Sequence, residues 1–210
     1  MRRFALLLVV ILLSGCASTK MRSFVDPDFR DKVYDRILIA AMYADLEQRE
    51  TTEAKFVDAF EESVAECVPS MTIMLPTRKY TDDQLFSLLS DRNVDAVLFV
   101  WQTDYYEDVS STTTTSGTLS ANTFYYGQTA NTYGTMQSTS RTRETRKPRV
   151  RHELNLYDVD TRRMAWLATS FTRGNAYARF KHLVESLAED AVDALLDDGL
   201  ILPVPSDSSR

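Results

Sequence analysis

Histidine and cysteine are nearly missing from this chain: 210 residues contain two of each. A transition-metal site needs several such ligands at close spacing, and neither His152 nor His182 has Cys, Asp or Glu at ligand spacing. For both histidines a satisfied structural role is the simpler reading, and no metal is inferred. Only six glycines are present, with no phosphate-cradling loop and no Gly-x-Ser-x-Gly elbow among them. Basic residues are outnumbered, 24 Lys and Arg against 30 Asp and Glu, giving a formal charge of −6. Affinity for nucleic acid comes mainly from cations neutralising phosphates, so that class of partner is set aside. Asp82-Asp83 is explained by a helix start and Asp158/Asp160 by a turn. Asp104, Glu107 and Asp108, beside Tyr105-Tyr106, are the one acid group that a cell-wall hydrolase would use, and nothing places them across a cleft. The chain is read as having no catalytic residue, no cofactor and no small-molecule substrate.

What is present is concentrated first at the amino terminus. Arg2 and Arg3 precede an apolar run from Phe4 to Leu13, and Leu13-Ser14-Gly15-Cys16 follows. The run is too short to span a bilayer, which takes about 20 residues, and has the pattern of a secretory signal. With Cys16 in that place, it resembles the lipobox of bacterial lipoproteins. The resemblance implies a diacylglycerol thioether on Cys16, cleavage before it and acylation of the new amino terminus. Residues 1–15 would then be a cleaved signal. Ala17, in place of an aspartate, implies by the same resemblance the outer membrane and its periplasmic side. One acyl chain binds marginally and two signals bind stably, so a triacylated cysteine would anchor the protein firmly. Cys67 then has no partner within the chain. It reads as a small buried side chain, with an intermolecular disulfide or a reactive thiol as the other options.

Residues 16–33 read as a lipidated tether, polar, non-periodic and broken by Pro27. About 15 such residues average roughly 20–25 Å as a coil. Residues 34–202 read as one mixed α/β domain, and 203–210 as a flexible tail. Apolar runs at 36–43, 71–75 and 94–101 predict buried strands. Between them, Ala54, Val57, Phe60 and Val64 recur at helical spacing, predicting a helix over 52–67 that starts at Thr51-Thr52-Glu53. Thr81-Asp82-Asp83-Gln84 matches a capping box, Leu85, Leu88 and Leu89 give the next helix its core face, and Asn93 stops it. Val150, His152, Leu154 and Leu156 share a strand face over 149–157. The turn Asp158-Val159-Asp160-Thr161 leads to a partner strand at 164–172. A last helix follows, with Asn175 as its cap, Leu183, Leu187, Ala191 and Leu195 on its face, and Gly199 at its end. Leu200–Leu202 is a short candidate edge strand. Helix-separated strands argue for parallel pairing and the tight turn for an antiparallel pair. The fold class is therefore α/β with a mixed (α+β) sheet, about five strands and three helices, in two or three layers.

The sequences "DRNVDAVLFVW" and "LNLYDVDTRRMAW", followed by a long helix ending at Gly199-Leu200, resemble the alpha/beta module of small bacterial outer-membrane lipoproteins. That module is shared by the curli secretion channel CsgG, the penicillin-binding-protein activator LpoB and the amino-terminal domain of TolB. The resemblance covers about residues 34–202 without the insert. It implies the mixed fold and an envelope setting, and the module serves unrelated jobs. LpoB-like activators carry a long tether, whereas this one is short. CsgG-like channels need two membrane hairpins per subunit, and here there is one candidate insert.

That insert, 108–147, is rich in Thr, Ser, Tyr, Asn and Gly. Residues 119–126 and 130–136 alternate as strands do, with Gly127-Gln128 as a turn. A disordered loop, a soluble hairpin and one hairpin of an assembled barrel are all compatible with it. Phe124, Tyr125 and Tyr126 are its candidate partner contacts, because aromatics are enriched at interfaces. Arg141, Arg143, Arg146, Lys147, Arg149 and Arg151 form a basic strip opposed only by Glu144. It is either a contact for anionic head groups or an acidic partner, or a solvated strand edge. The functional expectation is a non-catalytic, membrane-anchored lipoprotein that binds an envelope protein or self-assembles, with a CsgG-like pore subunit as the alternative.

Overall fold

The computed structural model describes residues 16–126 and 129–205. The signal segment 1–15, the Gly127-Gln128 turn and the last residues of the tail lie outside them. Six strands form one mixed sheet: β1 (Ala17–Val25), β2 (Arg36–Ala41), β3 (Glu66–Pro69), β4 (Ala96–Tyr126), β5 (Thr129–Asp158) and β6 (Met164–Gly174). Their order across the sheet is β1-β6-β5-β4-β2-β3. β2 pairs in parallel with β3 and β4, while β6 pairs antiparallel with β1 and β5. Three helices accompany it: α1 (Leu46–Phe60), α2 (Asp82–Asp91) and α3 (Phe180–Asp197). The α/β class and the mixed sheet are as the sequence predicts, with six strands rather than about five.

The chain divides into two units, Met1–Glu107 with Lys147–Arg210, and Asp108–Arg146. In the first unit the strand pleat sorts the core. Ile37 and Ile39 of β2 and Leu98 and Val100 of β4 pack with Phe56 and Phe60 of α1 and Leu187, Ala191 and Leu195 of α3. Their neighbours Leu38, Ala40 and Val97 point the other way, onto Leu85, Phe86 and Leu89 of α2. This two-sided burial explains why β2 and the start of β4 read as unbroken apolar runs. Trp166 is 1% exposed, and its indole N–H donates to Asp198 Oδ2 at 2.7 Å, which satisfies its one polar atom.

Several local predictions hold. Thr81 and Gln84 close a reciprocal capping box at α2. Asn93 leaves the helix with φ 53, and Gly199 leaves α3 with φ 74, a conformation glycine adopts without a Cβ clash. Asp158 accepts from the Thr161 N–H and hydroxyl, both at 2.7 Å, and its turn joins the antiparallel pair β5–β6. Asp158 is fully buried and pairs with Lys32. Burial works against its charge, and the bonds from Lys32 and Thr161 outweigh it, holding the carboxyl below its ordinary range.

Others are corrected. Residues 17–25, read as tether, are the edge strand β1, paired over its whole length with β6. Ser18, Lys20 and Arg22 are the outward half of a one-sided alternation, which a scan for apolar runs passes over. α1 begins at Leu46, because Asp45 accepts from the Gln48 N–H at 2.8 Å and caps it. It ends at Phe60 rather than 67, so Cys67 lies in β3, half-buried. There burial, with Glu53 and Glu66 nearby, pushes its thiol up. Residues 71–75 are not a strand: Ser70–Thr72 is a 3-10 turn, and β3 precedes it. Asn175 does not cap α3; its side chain accepts from the Tyr177 N–H at 2.9 Å, and the helix starts at Phe180. In place of an edge strand at 200–202, one antiparallel bridge joins Ser63 to Pro203.

The second unit consists of the distal parts of β4 and β5. Thr113–Thr142, Thr115–Ser140 and Thr123–Thr132 hydroxyl pairs, each 2.9 Å, bind the two strands side to side. Leu119 and Met136 are 71% and 74% exposed. Gly117 and Gly134 lie on the face that carries them: a Cβ at Gly117 would meet Met136 Cε at 3.3 Å, and one at Gly134 would meet Leu119 Cδ1 at 3.8 Å.

Candidate functional site

Among the described residues, one face of the sheet is exposed along β1 and β6 and at Arg151 of β5, and closes at Asn155, which is 5% exposed. Register fixes its members. Ser18, Arg173 and Arg149 form one row; Lys20, Phe171 and Arg151 the next; then Arg22, Thr169 and Glu153; then Phe24, Leu167 and Asn155. Lys20, Arg22, Thr169, Arg173 and Arg151 are exposed, and Phe24 is 61% exposed. The alternate residues, Thr19, Met21, Ser170, Thr172 and His152, face the helices. Thr19 shows this directly, since its hydroxyl bonds to Thr172 and to Ser186 of α3, each at 2.9 Å.

On the open face the guanidinium groups of Arg151 and Arg173 lie over the Phe171 ring, 4.8 and 4.9 Å from its centre. Such contacts hold long cationic side chains in place without neutralising them. Arg149 is occupied differently: its Nη1 donates to the carbonyls of Pro148 and Gly174 at 3.0 and 2.9 Å. Glu153, the single carboxylate in these rows, accepts from Asn155 Nδ2 at 2.9 Å. A shallow hollow of about 700 Å³ lies here, with Lys20, Arg22, Arg151 and Phe171 along it. The chemistry on offer is recognition of anions.

Cys16 stands at the edge of this face. It is exposed and directly precedes β1, and its carbonyl accepts from the Asn175 N–H at 3.0 Å. Any group carried by Cys16 is therefore joined to a fixed strand.

The helix side of the same strands holds a buried polar cluster. His152 is 2% exposed, with Nε2 at 2.8 Å from the Tyr43 hydroxyl, while Tyr43 packs edge-on against Phe180. Burial lowers the imidazole to about 4 and raises the Tyr43 phenol to about 12. His152 Nδ1 and the hydroxyl of its register partner Ser170 have no hydrogen-bond partner. At neutral pH both rings are uncharged, a structural role. His182 Nδ1 accepts from the Arg179 N–H at 3.1 Å at the start of α3. Among the described residues no three His, Cys, Asp or Glu side chains gather into a metal-binding set.

The remaining predicted residues are dispersed. Tyr105 donates to Glu107 Oε1 at 3.1 Å, and Asp104, Glu107 and Asp108 all lie along β4. Phe124, Tyr125 and Tyr126 lie in β4, and their side chains fall outside the described residues. The basic strip is divided: Arg141, Arg143 and Arg146 belong to the second unit, where Arg146 pairs with Glu144 at 3.0 Å, whereas Lys147, Arg149 and Arg151 belong to the first. For Arg149 and Arg151 the reading as a strand edge is corrected, because there β5 lies between β6 and β4, whereas Arg141 to Lys147 precede the stretch of β5 that pairs with β6. Lys20, Arg22, Arg173 and Phe171 were missed by sequence reasoning. The signal that finds them is the alternation Thr19, Met21 against Ser18, Lys20, Arg22. Glu53 was missed as well. It is 1% exposed, with Oε1 accepting from Ser70 Oγ at 2.5 Å and Oε2 from the Met71 N–H at 3.1 Å.

No protein-family model matches the chain, and no curated protein matches it. Among solved structures, the PelC dodecamer from Paraburkholderia phytofirmans is similar over 85% of this chain and 97% of its own, at 12% identity and a TM-score of 0.49. A PDZ domain protein from Parabacteroides distasonis is similar over 90% of this chain and 38% of its own, at 9% identity and a TM-score of 0.33.

Proposed function

We propose that this protein is a non-catalytic lipoprotein, anchored through acylated Cys16 to the periplasmic side of the outer membrane, that binds an envelope protein or a second copy of itself. The observation that carries the reading is the exposed Cys16, preceded by Leu13-Ser14-Gly15 and followed at once by β1. The alpha/beta module of CsgG-like and LpoB-like lipoproteins remains the proposed kinship. No helix among the described residues is long and apolar enough to cross a membrane, so a helical span offers no alternative anchor within them.

The partner contact is assigned to the second unit. It exposes Leu119 and Met136 on one face and carries Arg141 and Arg143. Exposed apolar side chains rimmed by polar ones mark interaction surfaces. The same pair favours the second reading, a pore subunit whose hairpins assemble side by side. In-cell crosslinking from photoreactive residues placed at Leu119 and Met136 tests both. A discrete adduct with a second envelope protein supports the adaptor, and a ladder of self-adducts the assembly. Absence of any discrete adduct contradicts both.

A further inference from the structure

We propose that the open face of β1, β6 and β5 docks onto the head groups of anionic phospholipids, seating the protein face-down beside its own anchor. This deepens the proposed anchoring, and rests on it for the choice of a lipid as the occupant.

The chain is acidic overall, and Lys32, Arg36, Arg49, Lys55, Arg162 and Arg163 all pair with carboxylates. Lys20, Arg22, Arg151 and Arg173 have no ion pair among the described residues; other exposed cations such as Arg78, Arg92 and Lys181 share that, but these four stand together on one face of three neighbouring strands, with Glu153 the one carboxylate in their rows. A protein rich in acids that leaves four neighbouring cations unmatched has a surface complementary to an anionic plane. The two arginines over Phe171 are also held apart at fixed positions, so less freedom is lost when they meet phosphates.

Strands rise about 3.3 Å per residue, which puts Lys20 and Arg22 roughly 13 and 20 Å along β1 from Cys16. Screening confines electrostatic attraction to about 8 Å of the surface at physiological ionic strength. A tethered domain would spend most of its time beyond that range. With Cys16 joined directly to a nine-residue paired strand, laying β1 flat along the plane into which the acyl chains insert brings Lys20 and Arg22 within that range together. Phe24 and Leu167, in the last row, add apolar side chains at the level of the head groups.

The test uses the full chain carrying Cys16→Ser, sedimented with vesicles of phosphatidylcholine alone or mixed with phosphatidylglycerol. Residues 1–15 stay attached, and Arg2 and Arg3 among them add the same preference for anionic vesicles to every variant, so the readout is each variant's ratio of affinities between the two vesicle types, relative to that of Cys16→Ser alone. Each cation at such a surface is worth about fivefold. The mixed vesicles should therefore be preferred about a hundredfold or more at low salt, with the preference lost at high salt. Lys20→Glu, Arg22→Glu and Arg173→Glu together should cut the preference by about a hundredfold or more relative to Cys16→Ser alone. The milder pair Lys20→Gln, Arg22→Gln should cut it by about 25-fold, which covers the case in which the triple variant fails to fold. Lys181→Glu, at an exposed cation on helix α3 at the other side of the sheet, should leave it within about twofold. Equal binding to both vesicle types overturns the proposal and leaves an acidic protein as the occupant of the face. A preference left unchanged by the Lys20 and Arg22 substitutions overturns it as well. Palmitate labelling of the unsubstituted chain reports separately on the anchor.

Discussion

Replacing Glu53 with alanine should lower the unfolding free energy by about 3–5 kcal/mol, the range seen when one partner of a buried charge network is removed. Glu53 lies in α1 and is the junction of three elements. Its Oε1 takes bonds from Ser70 Oγ at 2.5 Å, from the Ala41 N–H at 3.3 Å and from Arg49 Nε at 3.4 Å. Its Oε2 takes the Met71 N–H at 3.1 Å. The helix is thereby tied to the end of β2 and to the 3-10 turn after β3. Alanine leaves those donors without an acceptor and Arg49, 17% exposed at its side chain, without a counter-charge. Glu53→Gln keeps the shape and one carbonyl acceptor, so its loss should fall between wild type and alanine. Urea denaturation reads both: the midpoint should fall with an unchanged slope. A loss under about 1 kcal/mol for alanine would show that the junction is dispensable.

The second prediction concerns acid. His152 titrates near 4 in the folded chain because burial disfavours its cation, against an ordinary value of 6.5. Above pH 6.5 both folded and unfolded forms are neutral there, and the group contributes nothing to pH dependence. As pH falls from 6.5 toward 4 the unfolded chain takes up a proton that the folded chain refuses. Stability then drops by about 1.4 kcal/mol per pH unit, roughly 3 kcal/mol in all. Glu189 and Asp190 act in the opposite sense. Burial first, then neighbouring carboxylates, raise them, so protonation favours the folded form as pH falls through their folded values. Asp158, held low, loses its contribution only below the ordinary aspartate range, near 3.9. The clean readout is therefore the difference between wild type and His152→Gln, which removes the imidazole and leaves the others. The difference should grow steadily from pH 6.5 to 4 and level off below. Parallel stability curves would contradict a neutral buried imidazole.

The legible parts of this sequence are those where chemistry is local. The capping box at Thr81–Gln84, the Asp158 turn and the glycine at 199 each depend on residues within a few positions. All three stand where the pattern puts them. So do the buried runs of β2 and early β4, covered on both sides. What escaped notice depends on partners far away in the chain. β1 is a strand because β6 supplies its hydrogen bonds, some 150 residues later. With helix α3 on one side and solvent on the other, its composition is that of a polar linker. The candidate face escaped for the same reason. Lys20 and Arg151 are one strand apart from Phe171 on either side, and only the register assembles them. Glu53 reads locally as a first-turn acid, yet its partners are at the ends of other elements. Asn175 shows the reverse error: a residue suited to a helix start that serves the preceding turn instead.

Everything proposed about placement depends on the amino-terminal cysteine, and mass spectrometry of the membrane-extracted chain addresses it most directly. The account predicts a mature amino-terminal peptide beginning at Cys16 and carrying fatty acyl mass, with palmitate incorporation abolished by Cys16→Ser. A chain recovered from the soluble fraction with an unmodified Cys16 thiol would contradict it.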